Sequence, residues 1–378
     1  MTPRERTLTA LRRKTPDRVP RELSYGFGGF TPEAYEKFLK HTDSTEPAEY
    51  FNYEIRSVSY PLPEKREDKY YRELGTNVFD KGVSFNSKYE KKYQQEMAIS
   101  SGEWGIGVVR GGKGSRHFVK TVSPMKDFTS PDEVKAYNFP NLVTSDNFNH
   151  LLNGTKDLHE RDLAVMGELY TTILETAESL RGLAQLFKDL YSNRKLATAL
   201  FEKLTRLRCK QAEQYAEADI DVLRLGDDLG DQNGMLINPE IWRELLKPRL
   251  KRVIQSAKKI KKDILIFYHS DGDCSEVISD LIEVGVDILN PVQPEVLDPT
   301  TVKKRFGEHL SFWGTVGIQK TLPFGSPSEV KHVVKRRIET AGKGGGLLLA
   351  PAHVIEPEVP WENIVAFFEA IEEYGKYK

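Results

Sequence analysis

Cysteine is almost missing from this chain. There are two, Cys209 and Cys274, far apart in sequence. That excludes a disulfide framework and a CxxC metal pair, and it fits a reducing cytosol. A charge excess of either sign is missing too: 55 Lys and Arg stand against 56 Asp and Glu, for a formal net charge of -1. With no positive field to attract phosphates, no nucleic acid and no membrane surface is expected as a partner. Long apolar runs are also absent. No stretch approaches the roughly 18 residues that a membrane span needs. The opening segment MTPRERTLTALRRKTPDRVP has no apolar core and no cleavage site, so it does not read as a signal peptide. The expectation is a soluble, cytoplasmic protein. No GxGxxG fingerprint follows a strand-like run, which removes the usual mark of a dinucleotide fold.

What is present is length and alternation. The 378 residues suit a single α/β barrel domain, 1–378, with insertions. Such a chain buries a large core and needs no metal merely to fold. TPRERTLTALRR reads as the first helix, with Thr2 as cap, Pro3 at the first helical position and Glu5 near the positive end of the dipole. VPRELSY then reads as extended. From about residue 160 six apolar runs recur: LAVMGE, IDVLRLGDD, ILIFYHSD, VDILNPVQ, HLSFWGTVG and GGLLLAPAH, each followed by helical text. One of those helices, PEIWRELLKPRLKRVIQSAKK, has Asn238 as its cap. Repeated strand–loop–helix units imply parallel strands with right-handed crossovers. With strands from VPRELSY and the segment after it, eight close a TIM barrel. An open doubly wound sheet is the competing arrangement. The barrel is favoured because several runs end in ionisable residues, and in a barrel those ends converge on one mouth.

Residues 26–130 are the least regular, with short strands and excursions expected there. An insertion that covers the mouth as a lid is the reading for this stretch. GGKGSR at 111–116 reads as a hairpin turn, since no helix follows it to make a phosphate cradle.

The strand ends carry Glu168, Asp227, Asp228, His269, Asp271, Asn290, Gln293 and His353. So many polar groups at one rim must bond one another, water, a metal or a substrate. Side chains alternate along a strand, so His269 and Asp271 in FYHSDGD point the same way. His269, Asp271 and His353 form a candidate two-His, one-carboxylate metal site, and Glu168 completes a tetrahedron for zinc or another divalent metal. The alternative is a hydrogen-bonded network in which His269 or His353 donates a proton or anchors substrate. Of the successive acids Asp227 and Asp228, one is expected to face the pocket and the other to anchor the loop that leads to Gln232. Tyr170 and Trp313 are expected as apolar walls, with core packing the alternative for Trp313. Cys274 reads as a structural thiol, and KKIKK at 258–262 as a solvated helix end.

Several stretches together resemble the uroporphyrinogen decarboxylase superfamily: TPRERTLTALRRKTPDRVP, GELYTTILETAESLRGLAQLFKDLY, GDDLGDQNGMLINPEIWRELLKP, FYHSDGD, VGVDILNPVQP, FWGTVGIQKTLPFGSPSEV and GGGLLLAPAHVIEPEVPWENIVAFFEAIEEYG. The resemblance runs from about residue 160 to the end and through the first 25 residues, and it implies a TIM barrel. It also implies one of two chemistries. True decarboxylases bind a tetrapyrrole rich in carboxylates through an arginine cluster in an N-terminal loop. Here that loop corresponds to VPRELSYGFGGF, with Arg21 alone, while the decarboxylase C-terminal His matches His353. The other branch holds corrinoid-dependent methyltransferases and O-demethylases, several carrying zinc through H-x-C and a last-strand Cys. His269 matches that His, Asp271 stands at the first Cys position, and His353 at the last. Glu168 is similar to an acidic ligand of the demethylases.

The methyltransferase-like branch is the nearer likeness. It implies methyl transfer in one-carbon metabolism, between a small methylated substrate or carrier and a corrinoid on a partner protein. The catalytic set is then Glu168, Asp228 and His353. The substrate set is Tyr170, Asp227, Gln232, Asn290, Gln293 and Trp313. The metal set is His269, Asp271, His353 and Glu168. Tetrahydrofolate is a candidate carrier and a homodimer is compatible with the family. Decarboxylation of an acidic tetrapyrrole, and a non-catalytic binding subunit, are the alternatives.

Overall fold

The computed structural model describes residues 1–23, 29–61, 99–101, 104–110 and 118–377. Its strands in chain order are β1 (Ile55–Val58), β2 (Ile99–Ser101), β3 (Gly107–Arg110), β4 (Phe118–Val122), β5 (Ala164–Glu168), β6 (Val222–Gly226), β7 (Gly230–Asp231), β8 (Gly234–Met235), β9 (Leu265–His269), β10 (Ile288–Asn290), β11 (Ser311–Trp313) and β12 (Leu347–Leu348). Seven of them form one parallel sheet in the order β1-β5-β6-β9-β10-β11-β12. The gap between its two edges is closed by Pro20–Glu22. Leu349 N donates to the Pro20 carbonyl at 2.9 Å, Glu22 N to the Leu349 carbonyl at 3.2 Å, and Glu54 N to the Arg21 carbonyl at 3.5 Å. The fold is the expected TIM barrel, and Pro20–Glu22 supply its closing stave.

Side-chain alternation builds two cores. Inside the barrel lie Ile55, Ala164, Met166, Val222, Leu265, Phe267, Ile288, Trp313 and Leu348, with Leu11 of the first helix plugging the N-terminal end. The intervening residues, such as Leu223, Leu225, Ile266 and Tyr268, pack outward against the helices. That period of two fixes which strand-end residues face the mouth: two residues past Phe267 comes His269.

The first helix, Pro3–Leu11, starts on the expected Thr2 cap, reinforced by a reciprocal Glu5 bond. The helix read as one piece from Pro239 is two, Pro239–Leu245 and Lys247–Ile260. Pro248 causes the break, because it lacks the N–H that would continue the ladder. Within the range read as an insertion, the described elements are the helices Pro32–His41 and Pro47–Tyr50, barrel strand β1, and an antiparallel sheet of β2, β3 and β4. The 111–116 turn lies outside the described residues. No helix among the described residues is long and apolar enough to cross a membrane.

Candidate metal centre at the barrel mouth

The C-terminal ends of β6 and β9 are unusually close. A Cβ placed on Gly226 would lie 2.7 Å from the His269 Cβ and 2.8 Å from its carbonyl oxygen. The loops beyond cross just as tightly: Gly272, at φ +75°, has its Cβ position 2.5 Å from the Gly230 backbone, and Asp273 N donates to the Asp231 carbonyl at 2.7 Å. This crossing brings Asp228, His269 and Asp271 together. One ligand atom from each lies within 4.8 Å of the others.

His269 is buried, and its tautomer follows from its neighbour. Asn290 Nδ2 donates to the Trp313 carbonyl at 3.0 Å, so the amide must present Oδ1 to His269 Nδ1, 2.7 Å away. The opposite amide orientation would set two oxygens against each other. Nδ1 therefore carries the proton and donates it. Burial pushes the imidazole down to about 4, more than the Asp271 charge restores. At neutral pH the ring is uncharged, with the Nε2 lone pair directed at the carboxylates. Nε2 lies 3.6 Å from Asp228 Oδ1 and 3.8 Å from Asp271 Oδ1. Three acceptor atoms thus converge. Atoms bound about 2.1 Å from a tetrahedral metal sit about 3.4 Å apart, so a small contraction admits one. The second shell is built: Asp271 N donates to Asp228 Oδ1 at 2.9 Å, and Asn290 holds the histidine.

The residues expected for the metal divide. His269 and Asp271 are joined by Asp228, expected in the catalytic set and not among the metal ligands. His353 stands beside them, its Nε2 3.7 Å from Asp271 Oδ2. Glu168 is committed elsewhere: it accepts from Arg224 Nη1 at 2.7 Å and from Ser57 Oγ at 2.7 Å.

The residues expected for substrate also divide. Tyr170 is 42% exposed, lies 4.4 Å over the Arg224 guanidinium, and has its ring 6.0 Å from that of His269. Asp227 is buried and turned away, accepting from Ile173 N at 3.0 Å and Glu175 N at 3.1 Å. It is the loop anchor of the acid pair. Gln293 is buried and accepts from Gly272 N at 3.4 Å. Gln232 is exposed on the β7–β8 turn and donates to Gln319 at 3.3 Å. Trp313 is buried inside the barrel, edge-on to Phe267 at 5.0 Å, and serves the site through its carbonyl. The buried Cys274 thiol is pushed up to about 12 by its burial, which suits a structural role.

Four further residues escaped sequence reasoning. Arg224 and Ser57 hold Glu168. Glu22 is buried against Glu168 and Arg224, and burial, then the Glu168 charge, raises its carboxyl well above the usual range. Glu175 is pushed up to about 9 by burial, then by Asp228 and Asp227. The available signal was a charged residue breaking the apolar alternation in VLRLG and PREL.

The fold and the site define a parallel α/β barrel with an acid-rich mouth around one neutral imidazole. A uroporphyrinogen decarboxylase (URO-D) family model matches residues 119–374. The chain belongs to that family. It is similar to the methylcobamide:CoM methyltransferase MtaA of Methanosarcina barkeri, 29% identical over 181 residues, 47% of this chain and 50% of the relative. It is similar to the uroporphyrinogen decarboxylase of Coxiella burnetii, 23% identical over 49% of this chain and 50% of the relative. The chain spans about half the length of the curated relatives it matches. A solved methyltransferase from Methanosarcina mazei has the same fold over 99% of both chains, with TM-score 0.64 and 18% identity.

Proposed function

We propose that this chain is a methyltransferase of one-carbon metabolism, moving a methyl group between a small methylated compound or carrier and a corrinoid on a partner protein. The observation that carries this reading is the convergence of Asp228, His269 and Asp271 on one point as three acceptor atoms. Such a set fits a divalent cation, and its nitrogen and oxygen donors suit zinc or iron better than thiolate-loving ions. Asp228, His269 and Asp271 would hold such a metal, which would supply Lewis-acid polarisation of the heteroatom that carries the methyl group. Oxygen and nitrogen donors match this ligand set better than sulfur does.

The chain's own residues supply the rest. Tyr170 walls the pocket beside His269. Asp228 and Asp271 orient whatever cation or donor group enters. His353, half-exposed at the rim, delivers the proton that the leaving oxygen or nitrogen takes as the carbon–heteroatom bond breaks and the heteroatom keeps the electron pair. Glu168 acts through Arg224, which it fixes beneath the Tyr170 ring.

The decarboxylase reading is less well supported. Arg21, the one arginine of the loop expected to bind substrate carboxylates, pairs with Glu372. The mouth adds Asp228 and Asp271, whose carboxylates would repel a polyanionic tetrapyrrole. The test is methyl transfer to cob(I)alamin from small aryl methyl ethers and methylamines, followed by methylcobalamin absorbance. Turnover by the parent protein, reduced at least about 100-fold in His269→Ala, supports the reading. Release of carbon dioxide from a uroporphyrinogen with no methyl transfer would overturn it.

A further inference from the structure

The loop that carries Tyr170 is held far more firmly than a surface loop needs. Thr171 has φ +54°, the left-handed region, which a β-branched residue adopts only when its surroundings force it. Arg208, on the long helix Arg194–Glu217, is buried and reaches under the loop. Its Nε donates to the Thr172 carbonyl and its Nη2 to the Thr171 carbonyl, each at 2.9 Å, while Nη2 also reaches Thr176 Oγ1 at 2.9 Å. From the other side Thr172 N donates to the Gly226 carbonyl at 2.7 Å, and Gly226 N returns a bond to Thr172 Oγ1 at 2.9 Å. Asp227 takes the N–H groups of Ile173 and Glu175, where the loop enters the helix Leu174–Arg181. Three independent clamps thus converge on residues 171–175. The side chain that projects from them toward the site is Tyr170, set on Arg224 at 4.4 Å and beside His269.

We propose that Tyr170 determines which methyl donor the pocket accepts, and that Arg208 is the positioning residue that holds it there by forcing Thr171 into the left-handed conformation. This deepens the methyl-transfer reading and rests on it for the role of Tyr170. The positioning role of Arg208 rests on the loop geometry alone. A guanidinium is needed because one planar fork must satisfy two successive carbonyls, which a lysine ammonium does not do as a rigid unit. Glycine at 171 would adopt the same backbone without strain, so it makes the clamp dispensable.

The test has two parts. Crystal structures of Arg208→Met and of Arg208→Met/Thr171→Gly report the loop. The expected result is that Thr171 leaves positive φ and the Tyr170 ring leaves Arg224 in the single variant, and that both return in the double variant. A Tyr170 ring that stays in place in Arg208→Met overturns the positioning role. Kinetics of Tyr170→Ala, with cob(I)alamin as acceptor and methoxybenzene and its ring-substituted derivatives as donors, report selectivity. Tyr170 is exposed enough that its removal leaves folding intact, so this arm remains decisive if Arg208→Met does not fold. The expected result is a KM raised at least about tenfold with kcat within about twofold, and a changed ranking of donors. Equal loss for every donor, or no change in KM, overturns the selectivity role. If the parent itself transfers no methyl group, the methyl-transfer reading fails and Tyr170 loses its role with it. The crystal structures still decide the clamp.

Discussion

One amide fixes the chemical state of the central imidazole. Asn290 is buried and spends its nitrogen on the Trp313 carbonyl, so only its oxygen is left for His269. Replacing Asn290 with Ala removes the partner that holds the Nδ1 proton and the ring orientation. Second-shell changes of this kind lower metal affinity about 10–100-fold. A cobalt titration of Asn290→Ala followed by visible absorption checks this; an affinity equal to the parent's would contradict it. Much of this residue-level picture was legible. His269, Asp271 and Asp228 stood at strand ends, and the period of two placed them at the mouth. Which of two adjacent acids turns inward was left open by the sequence reading, although Asp228 keeps the inward parity of Val222 past the end of β6. In the structure the N–H groups of Ile173 and Glu175 separate Asp227 from Asp228.

Between elements, the β6–β9 contact tolerates no side chain at Gly226. An added methyl would meet the backbone of His269, so relief requires the two strands to part. Gly226→Ala is expected to cost about 1–3 kcal/mol in urea unfolding, the range of overpacked cores, and to weaken metal binding as well. Unchanged stability would contradict that packing. The first helix makes a different demand. Arg4 pairs with buried Asp221 at 2.8 Å, and Arg6 with Asp17 at 2.6 Å. The Arg6 hydrogen bond holds Asp17 below the usual carboxylate range. Burial raises Asp221, but the Arg4 bond and the Val165 N–H bring it below its ordinary value. Both groups bind protons less well folded than unfolded. Their stabilisation is present above about pH 4 and is lost as pH falls through the folded-state values. Urea midpoints between pH 7 and pH 2.5 should fall steeply in the parent and less steeply in Asp221→Asn, which is already weaker at pH 7. Parallel curves would contradict this. Helix starts were legible at this scale because capping residues are local. The break at Pro248 was within reach as well, since proline marks it, but an unbroken apolar pattern across it favoured one helix.

For the molecule as a whole, the barrel gathers carboxyl groups at one end. Asp227 and Asp228 follow β6, Asp271 follows β9, and Glu175 and Glu178 lie on the helix Leu174–Arg181 after β5; Glu178 is pushed up to about 8 by burial and by the neighbouring Asp227 and Asp228. The barrel itself was readable from six repeats of strand and helix. The network of Glu22, Ser57, Glu168 and Arg224 was not, because its hydrogen bonds join residues 56 and 111 positions apart whose pairing appears only once the staves close. It is this network that commits Glu168 away from Asp228, His269 and Asp271. The converging ligand atoms of Asp228, His269 and Asp271 predict that a divalent cation stabilises the fold. Zinc at about 100 times its dissociation constant should add about 2.7 kcal/mol, seen as a rise in Tm that His269→Ala abolishes. A Tm indifferent to zinc would contradict that linkage.

The most direct test is the metal content of protein prepared without chelators or a polyhistidine tag, beside Asp228→Ala, His269→Ala, Glu168→Gln and His353→Ala. The account predicts about one zinc or iron per chain in the parent. Asp228→Ala and His269→Ala should lose it, and Glu168→Gln and His353→Ala should keep it. A parent without metal, or a metal lost with Glu168 and retained without Asp228, would contradict the centre described above.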